Sequence, residues 1–137
     1  MREDTERQIA SLSNKSMRKD LQKKYLPLVE ELESRLSAER TVEVVLACII
    51  DTPESSDLGV LLITDYGIHC KGESRGAARV DLPWLRIDQA DISDVTGKRS
   101  DLVIESTNKD HRFRFRLFED DVKLAVRNAV SRNQTLL

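Results

Sequence analysis

The residues with the means to do chemistry are few and scattered. The chain has two cysteines, Cys48 and Cys70, and two histidines, His69 and His111. Neither histidine stands at a motif spacing from a serine or cysteine nucleophile, and no Gly-rich phosphate loop or metal-ligand pair occurs. His69 and Cys70 are neighbours, but consecutive residues of a strand point to opposite faces, so they do not make a thiol–imidazole dyad. The cysteines lie in separate apolar segments, which suits buried reduced thiols better than a disulfide framework. Catalysis is not expected, nor is a metal or a cofactor.

The charged residues offer two further candidates. Lys15, Arg18, Lys19, Lys23 and Lys24 form a local basic cluster opposed only by Asp20 and set beside Leu21 and Tyr25, a pattern able to lie on an anionic membrane. The cluster is short, and the acidic Glu30, Glu31 and Glu33 follow it, so a solvated helix face is the plainer reading. Arg112, Arg114 and Arg116 alternate with Phe113, Phe115 and Leu117. Stacking on bases needs aromatics on the same exposed face as the cations, and this alternation puts them on opposite faces, so nucleic acid is not an expected partner. Over the whole chain 22 Lys and Arg meet 24 Asp and Glu, a net charge of -2 that gives no general pull toward polyanions. Trp84, the only tryptophan, is read as a core anchor; if exposed, it becomes the best single interface candidate.

At 137 residues the length suits one core. Residues 1–40 contain no glycine and carry Leu21, Tyr25, Leu28, Val29, Leu32 and Leu36 at helical spacing. Pro27 has no amide to donate, so the helical segment must break near Leu26, and the first dozen residues read as a separate, frayed helix. The stripe Leu21, Tyr25, Leu28, Leu32 and Leu36 is narrow enough either to dock on the chain's own core or to form a seam with a second copy.

From Thr41 the pattern becomes β-branched. Strands are expected at 42–50, 60–64, 68–71, 78–82, 87–95, 102–107 and 111–117, with short connections that make an antiparallel meander. A turn at Asn108 and Lys109 sets Ile104 opposite Phe113 and Leu102 opposite Phe115, with Glu105 facing Arg112 and Asp101 facing Arg116. Val122, Ala125, Val126, Ala129 and Val130 make one face of a closing helix whose start carries Glu119, Asp120 and Asp121. The division is therefore a helical extension over 1–40 and an α+β domain over 41–137.

A meander of about seven strands closed by one helix resembles the pleckstrin-homology-like superfold, in particular its short bacterial members and the GRAM-type domains. Gly59 to Ile68 (GVLLITDYGI) looks like the family's second and third strands, where an apolar run ends in Thr-Asp and turns at once. Leu82 to Ile87 (LPWLRI) is similar to the family's Ile-Pro-Leu-x-x-Ile segment. The resemblance spans about residues 41–132 and implies an antiparallel, partly open seven-stranded β-barrel capped by the C-terminal helix. Family members that bind phosphoinositides use basic residues in the loop between the first two strands. Here that loop, 51–57, carries Asp51, Glu54 and Asp57 and no basic residue, so no lipid-binding residue is carried over.

The expected function is that of a non-enzymatic interaction module acting through protein contacts, with self-association through the N-terminal stripe as one form of it. A peripheral membrane adaptor using the Lys15–Lys24 cluster is the alternative. No stretch approaches the roughly twenty apolar residues that cross a bilayer, and the N-terminus lacks the apolar core of a secretory signal, so a cytoplasmic location is expected.

Overall fold

The apolar runs beyond Thr41 pair as seven antiparallel strands: β1 (Val42–Asp51), β2 (Ser56–Thr64), β3 (Gly67–Gly72), β4 (Val80–Pro83), β5 (Ile87–Thr96), β6 (Arg99–Ser106) and β7 (Arg112–Leu117). The computed structural model describes residues 1–96 and 99–137. The connection expected between the strands at 87–95 and 102–107, a turn over 97–100 rich in Gly and Ser, lies in part outside the described residues. Strand order is β4-β3-β2-β1-β7-β6-β5, so β1 joins two halves of a curled, open half-barrel, and a 3-10 turn at Trp84–Arg86 links the two edge strands in the chain. β1 pairs with β2 along nearly its whole length but with β7 only from Ile49 to Asp51.

The expected β6–β7 register is found: Ile104 faces Phe113, Leu102 faces Phe115, Glu105 faces Arg112 and Asp101 faces Arg116. The hairpin closes one step earlier than a two-residue loop, since Ser106 N donates to His111 O at 3.0 Å and Lys109 takes a positive φ of 60°. Parity is unaffected, because both closures keep the same residues opposed. The β1–β2 connection is shorter than expected: β2 starts at Ser56, and Thr52 N donates to Ser55 O at 2.8 Å across a tight loop. Gly67 is required where β3 meets β4, since a Cβ there would lie 2.0 Å from Leu82 O.

Residues before the sheet form α1 (Glu3–Ala10), α2 (Lys15–Gln22) and α3 (Leu26–Glu33), and α4 (Asp120–Thr135) follows it. The break expected near Leu26 is present, with Pro27 in the first turn of α3, where its missing amide costs nothing. α1 is separate, as expected, but it is pinned rather than frayed. Ile9 and Thr5 are buried, Thr5 Oγ1 donates to Glu33 Oε2 at 2.6 Å, and Asp4 Oδ2 accepts from Val42 N at 2.8 Å.

α1 and α2 pack on β1, α3 packs on β2 and β3, and α4 packs on β1 and β2. Leu21, Tyr25, Val29 and Leu32 are buried in the same cluster as Val45, Leu62, Phe115 and Val126, with Leu28 and Leu36 packed against it. Of the two arrangements that the stripe's spacing allows, the fold uses docking on the chain's own core. The stripe faces the chain's own sheet, and those leucines cannot serve a second copy without giving up that packing.

Candidate functional site

Where β7 leaves β1 after Arg116, the sheet splays and α2 crosses the opening. The resulting groove, about 430 Å³, is lined by Met17, Tyr25, Ile49, Leu58 and Phe118 among others, with Asp20, Lys24, Arg116 and Glu119 also on its walls. Leu58 and Phe118 are 43% and 51% exposed, unusual for large apolar side chains bordering one cavity. The walls are tied together. Asn14 caps α2 by accepting from Met17 N at 2.8 Å, and its Nδ2 donates to Glu119 Oε1 at 3.0 Å. Ser13 N donates to Asp121 Oδ2 at 3.1 Å, so the starts of α2 and α4 are fixed to each other.

Of the basic cluster Lys24 lines this groove, and the five side chains do not make a single surface. Lys15, Lys19, Lys23 and Lys24 are exposed. Arg18 is half-buried and donates to the carbonyls of Leu12 and Ser13, which makes it a clamp on the chain between α1 and α2. Lys24 sits over the Tyr25 ring, 5.0 Å from its centroid. The side chains of Lys15, Lys19 and Lys23 make no hydrogen bond or ion pair among the described residues. Helical geometry places Lys15 and Lys19 next to Ser16 and Asp20, which line the groove.

Trp84 is 3% exposed and its Nε1 donates to Thr64 O at 2.8 Å, so it is the core anchor and not an interface residue. The arginine ladder keeps the parity read from the sequence, with Phe115 buried and Arg112 and Arg114 exposed. Its ion pairs differ in one respect. Arg112 meets Glu105 at 3.1 Å as expected, but Arg116 forks onto Asp51 at 2.7 and 2.9 Å, while Asp101 takes Arg99 at 2.9 Å and Arg114 at 3.3 Å. Arg116 faces Ile49 in register, so Asp51 is its diagonal neighbour, within reach of a long side chain. The fork from Arg116 holds the Asp51 carboxyl below its usual range despite the opposing effect of burial.

A constellation that local spacing does not show joins β2, β3 and β4. Asp81 Oδ1 lies 2.7 Å from His69 Nδ1, and His69 Nε2 lies 2.9 Å from Thr64 Oγ1. The signal is present in the sequence only through the β3–β4 register, in which His69 faces Asp81. The order carboxylate, imidazole, hydroxyl is that of a nucleophile relay, but Thr64 is 0% and His69 1% exposed. Thr64 Oγ1 also accepts from Tyr66 N at 3.1 Å and Gly67 N at 3.2 Å. The hydroxyl thus staples the β2–β3 turn. Burial holds His69 below its ordinary pKa, and Asp81 opposes that effect.

Cys48 and Cys70 are free and buried, and burial raises both thiols, Cys70 to about 12. Among the described residues no group of three or more His, Cys, Asp or Glu is placed to hold a metal ion, and no helix is long and apolar enough to cross a membrane.

No family model matches the chain, and no curated protein matches it. Among solved structures it is similar to the C-terminal domain of an unknown protein from Leishmania infantum, at 15% identity and a TM-score of 0.60, over 77% of this chain and 97% of that one. At that identity the likeness is one of fold alone, built from a different sequence.

Proposed function

We propose that the chain is a pleckstrin-homology-like interaction module that docks a segment of a protein partner in the groove between α2, β1 and the β7–α4 junction. The observation that carries this is the groove itself, where Leu58 and Phe118 stand half-exposed beside Met17 and Tyr25 on walls fixed by Asn14 and Ser13. A concave apolar site with rigid walls suits an inserted side chain. Lys24 on its wall, with the exposed Lys15 and Lys19 beside the wall residues Ser16 and Asp20, favours a segment with acidic residues around its apolar anchor. The pleckstrin-homology-like reading is supported by the order of the strands, by β1 serving both halves and by α4 closing one end. The non-enzymatic reading is supported by the burial of Thr64, His69 and both thiols.

The membrane alternative draws on the whole Lys15–Lys24 cluster, and one set of variants separates the two. Proteins retained by the wild-type chain are compared with those retained by Leu58→Asp, Phe118→Asp and, as a control at an exposed site on the 3-10 turn, Leu85→Asp. A groove ligand is lost from the first two and kept by the third, with affinity for the isolated partner falling by about thirtyfold or more, as for a hot-spot residue. Retention unchanged in Leu58→Asp and Phe118→Asp refutes the groove. Salt-sensitive sedimentation with anionic vesicles, abolished by Lys15→Glu with Lys19→Glu and Lys23→Glu, selects the membrane reading instead.

A further inference from the structure

A second cavity, of about 400 Å³, shares no lining residue with the groove and is more polar. It is lined by Arg35, Leu36, Ser37 and Arg40 from the connection between α3 and β1, and by Tyr66, His69 and Asp81 from the sheet. We infer that this cavity is a binding site for a small oxyanion, a carboxylate or a phosphate monoester, held between the guanidinium groups of Arg35 and Arg40.

The first argument is that donors here are unspent. Arg40 lies over the Tyr66 ring, 5.2 Å from its centroid, and has no carboxylate partner among the described residues. Arg35 reaches only Asp81, at 3.6 Å. That carboxylate is already occupied: it accepts from Arg79 at 2.7 and 2.9 Å and from His69 at 2.7 Å. The Ser37 hydroxyl and the Tyr66 phenol, on the same walls, also have no hydrogen-bond partner among the described residues. A guanidinium presents several N–H groups in a planar fork that matches the spacing of oxyanion oxygens, and two such forks facing one polar cavity make an anion site rather than a cation site.

The second argument is preorganisation. The connection carrying Arg35 and Arg40 is not a loose loop, because the Arg2 guanidinium donates to Ser37 O at 3.0 Å and to Arg40 O. At the other end Arg79 donates to Leu32 O at 2.7 Å and to Glu31 O. Thr41 N is held by Asp65 Oδ1 at 3.0 Å, which turns that acid toward the backbone. The fold thus spends two arginines and an aspartate on holding the backbone that presents two others. Arg79 and Arg35 together outweigh the one carboxylate on the walls, Asp81, and Arg40 adds a further positive charge.

The test is titration of the full chain with sodium phosphate and, separately, sodium succinate, at constant ionic strength, following the NMR signals of the arginine Nε–H groups and of Tyr66 and His69. The expected result is saturable shifts confined to this cavity, competition between the two anions, and at least tenfold weaker binding in Arg35→Gln and in Arg40→Gln. Arg40→Lys, which keeps the charge and loses the fork, is expected to lie between. Arg35 and Arg40 are exposed, so these variants keep the wild-type melting temperature. Shifts that sodium chloride reproduces, or saturable binding unchanged in the double Gln variant, overturn the site. A parallel sedimentation with phosphatidylcholine vesicles containing phosphatidic acid distinguishes the source. Pelleting that the double Gln variant abolishes assigns the phosphate to a lipid headgroup, and phosphate binding without pelleting assigns it to a free anion. Lys15→Glu with Lys19→Glu leaves every one of these signals unchanged, which separates this site from the groove.

Discussion

His69 is almost fully buried between Thr64 and Asp81, and its burial sets a cost on charging it. Its pKa in the fold lies below the ordinary 6.5, because desolvation outweighs the neighbouring carboxylate. As pH falls, the unfolded chain therefore takes up this proton first and is favoured. The histidine's contribution is complete above 6.5 and is lost as pH falls from there through the folded-state pKa. Asp81 adds a second step lower down. Burial alone would raise its pKa, but the Arg79 and His69 hydrogen bonds outweigh that, so its contribution is held above 3.8 and lost below. Urea midpoints at pH 7.5, 6.0 and 5.0 should decline for the wild type, and His69→Gln should flatten that decline. An equal slope in the variant would show that other groups carry it. At this scale much was legible from residue types, including the buried thiols and the parity of the arginine ladder. The Asp81 partner was not, because it depends on which residue of β4 stands opposite His69, and the seven residues between β3 and β4, 73–79, do not dictate that register by their chemistry.

Between elements, the most connected side chain is Arg79. Its guanidinium forks onto Asp81 on β4 and reaches across to the carbonyls of Glu31 and Leu32 in the last turn of α3, with a side chain only 6% exposed. Leu32 O has no other donor among the described residues, whereas Glu31 O also accepts from Ser34 N and Oγ, and a cation at a helix C-terminus favours the dipole, so one residue caps α3 and docks it on the sheet. Arg79→Met leaves Leu32 O without a donor and Asp81 without its fork and should cost about 2–4 kcal/mol, read as a lower urea midpoint at an unchanged slope. Arg79→Lys should recover less than half, since an ammonium cannot form the fork. Elements with strong alternation, β1, β7 and α4, are visible in the sequence because packing and pattern agree there. The start of β2 is not: Ser56, Asp57 and Leu58 look like loop residues, but pairing with Asp51, Ile50 and Ile49 extends the strand through them. α1 is misread as frayed for a related reason. Only Thr5 and Ile9 of it are buried, and its anchorage comes from Glu33 and Val42, remote in sequence.

For the whole molecule, the boundary at residue 40 separates two kinds of sequence but not two cores. Ile9, Leu12, Leu21, Tyr25, Val29 and Leu32 are buried with the sheet residues in one cluster. Each such side chain contributes roughly 1.5–3 kcal/mol when fully buried. Their joint loss is then comparable to the entire stability of a domain, about 5–15 kcal/mol. Residues 41–137 alone should lack a cooperative thermal transition and bind a hydrophobic dye, and adding residues 1–40 as a separate peptide should restore both properties. A cooperative melt of the isolated 41–137 segment would show that the helices are dispensable. The helical character of 1–40 and the meander after it are legible because each has its own periodicity. That they share one core is not, since a narrow apolar stripe serves a sheet and a second helix equally well.

The half-barrel is narrow where its two halves meet. β1 and β7 share only the ladder from Ile49 to Asp51, reinforced by the Arg116–Asp51 fork, so the two sub-sheets β4-β3-β2-β1 and β7-β6-β5 are joined by a short spine. In elastic terms that spine is a compliant line, because bending there strains few hydrogen bonds. The groove opens from the same line, with Ile49 on one flank and Phe118 on the other. A side chain wedged between them would act on the angle of the spine, and its entry would be felt as a tilt of the whole β5–β7 half, from the spine out to the free edge of β5.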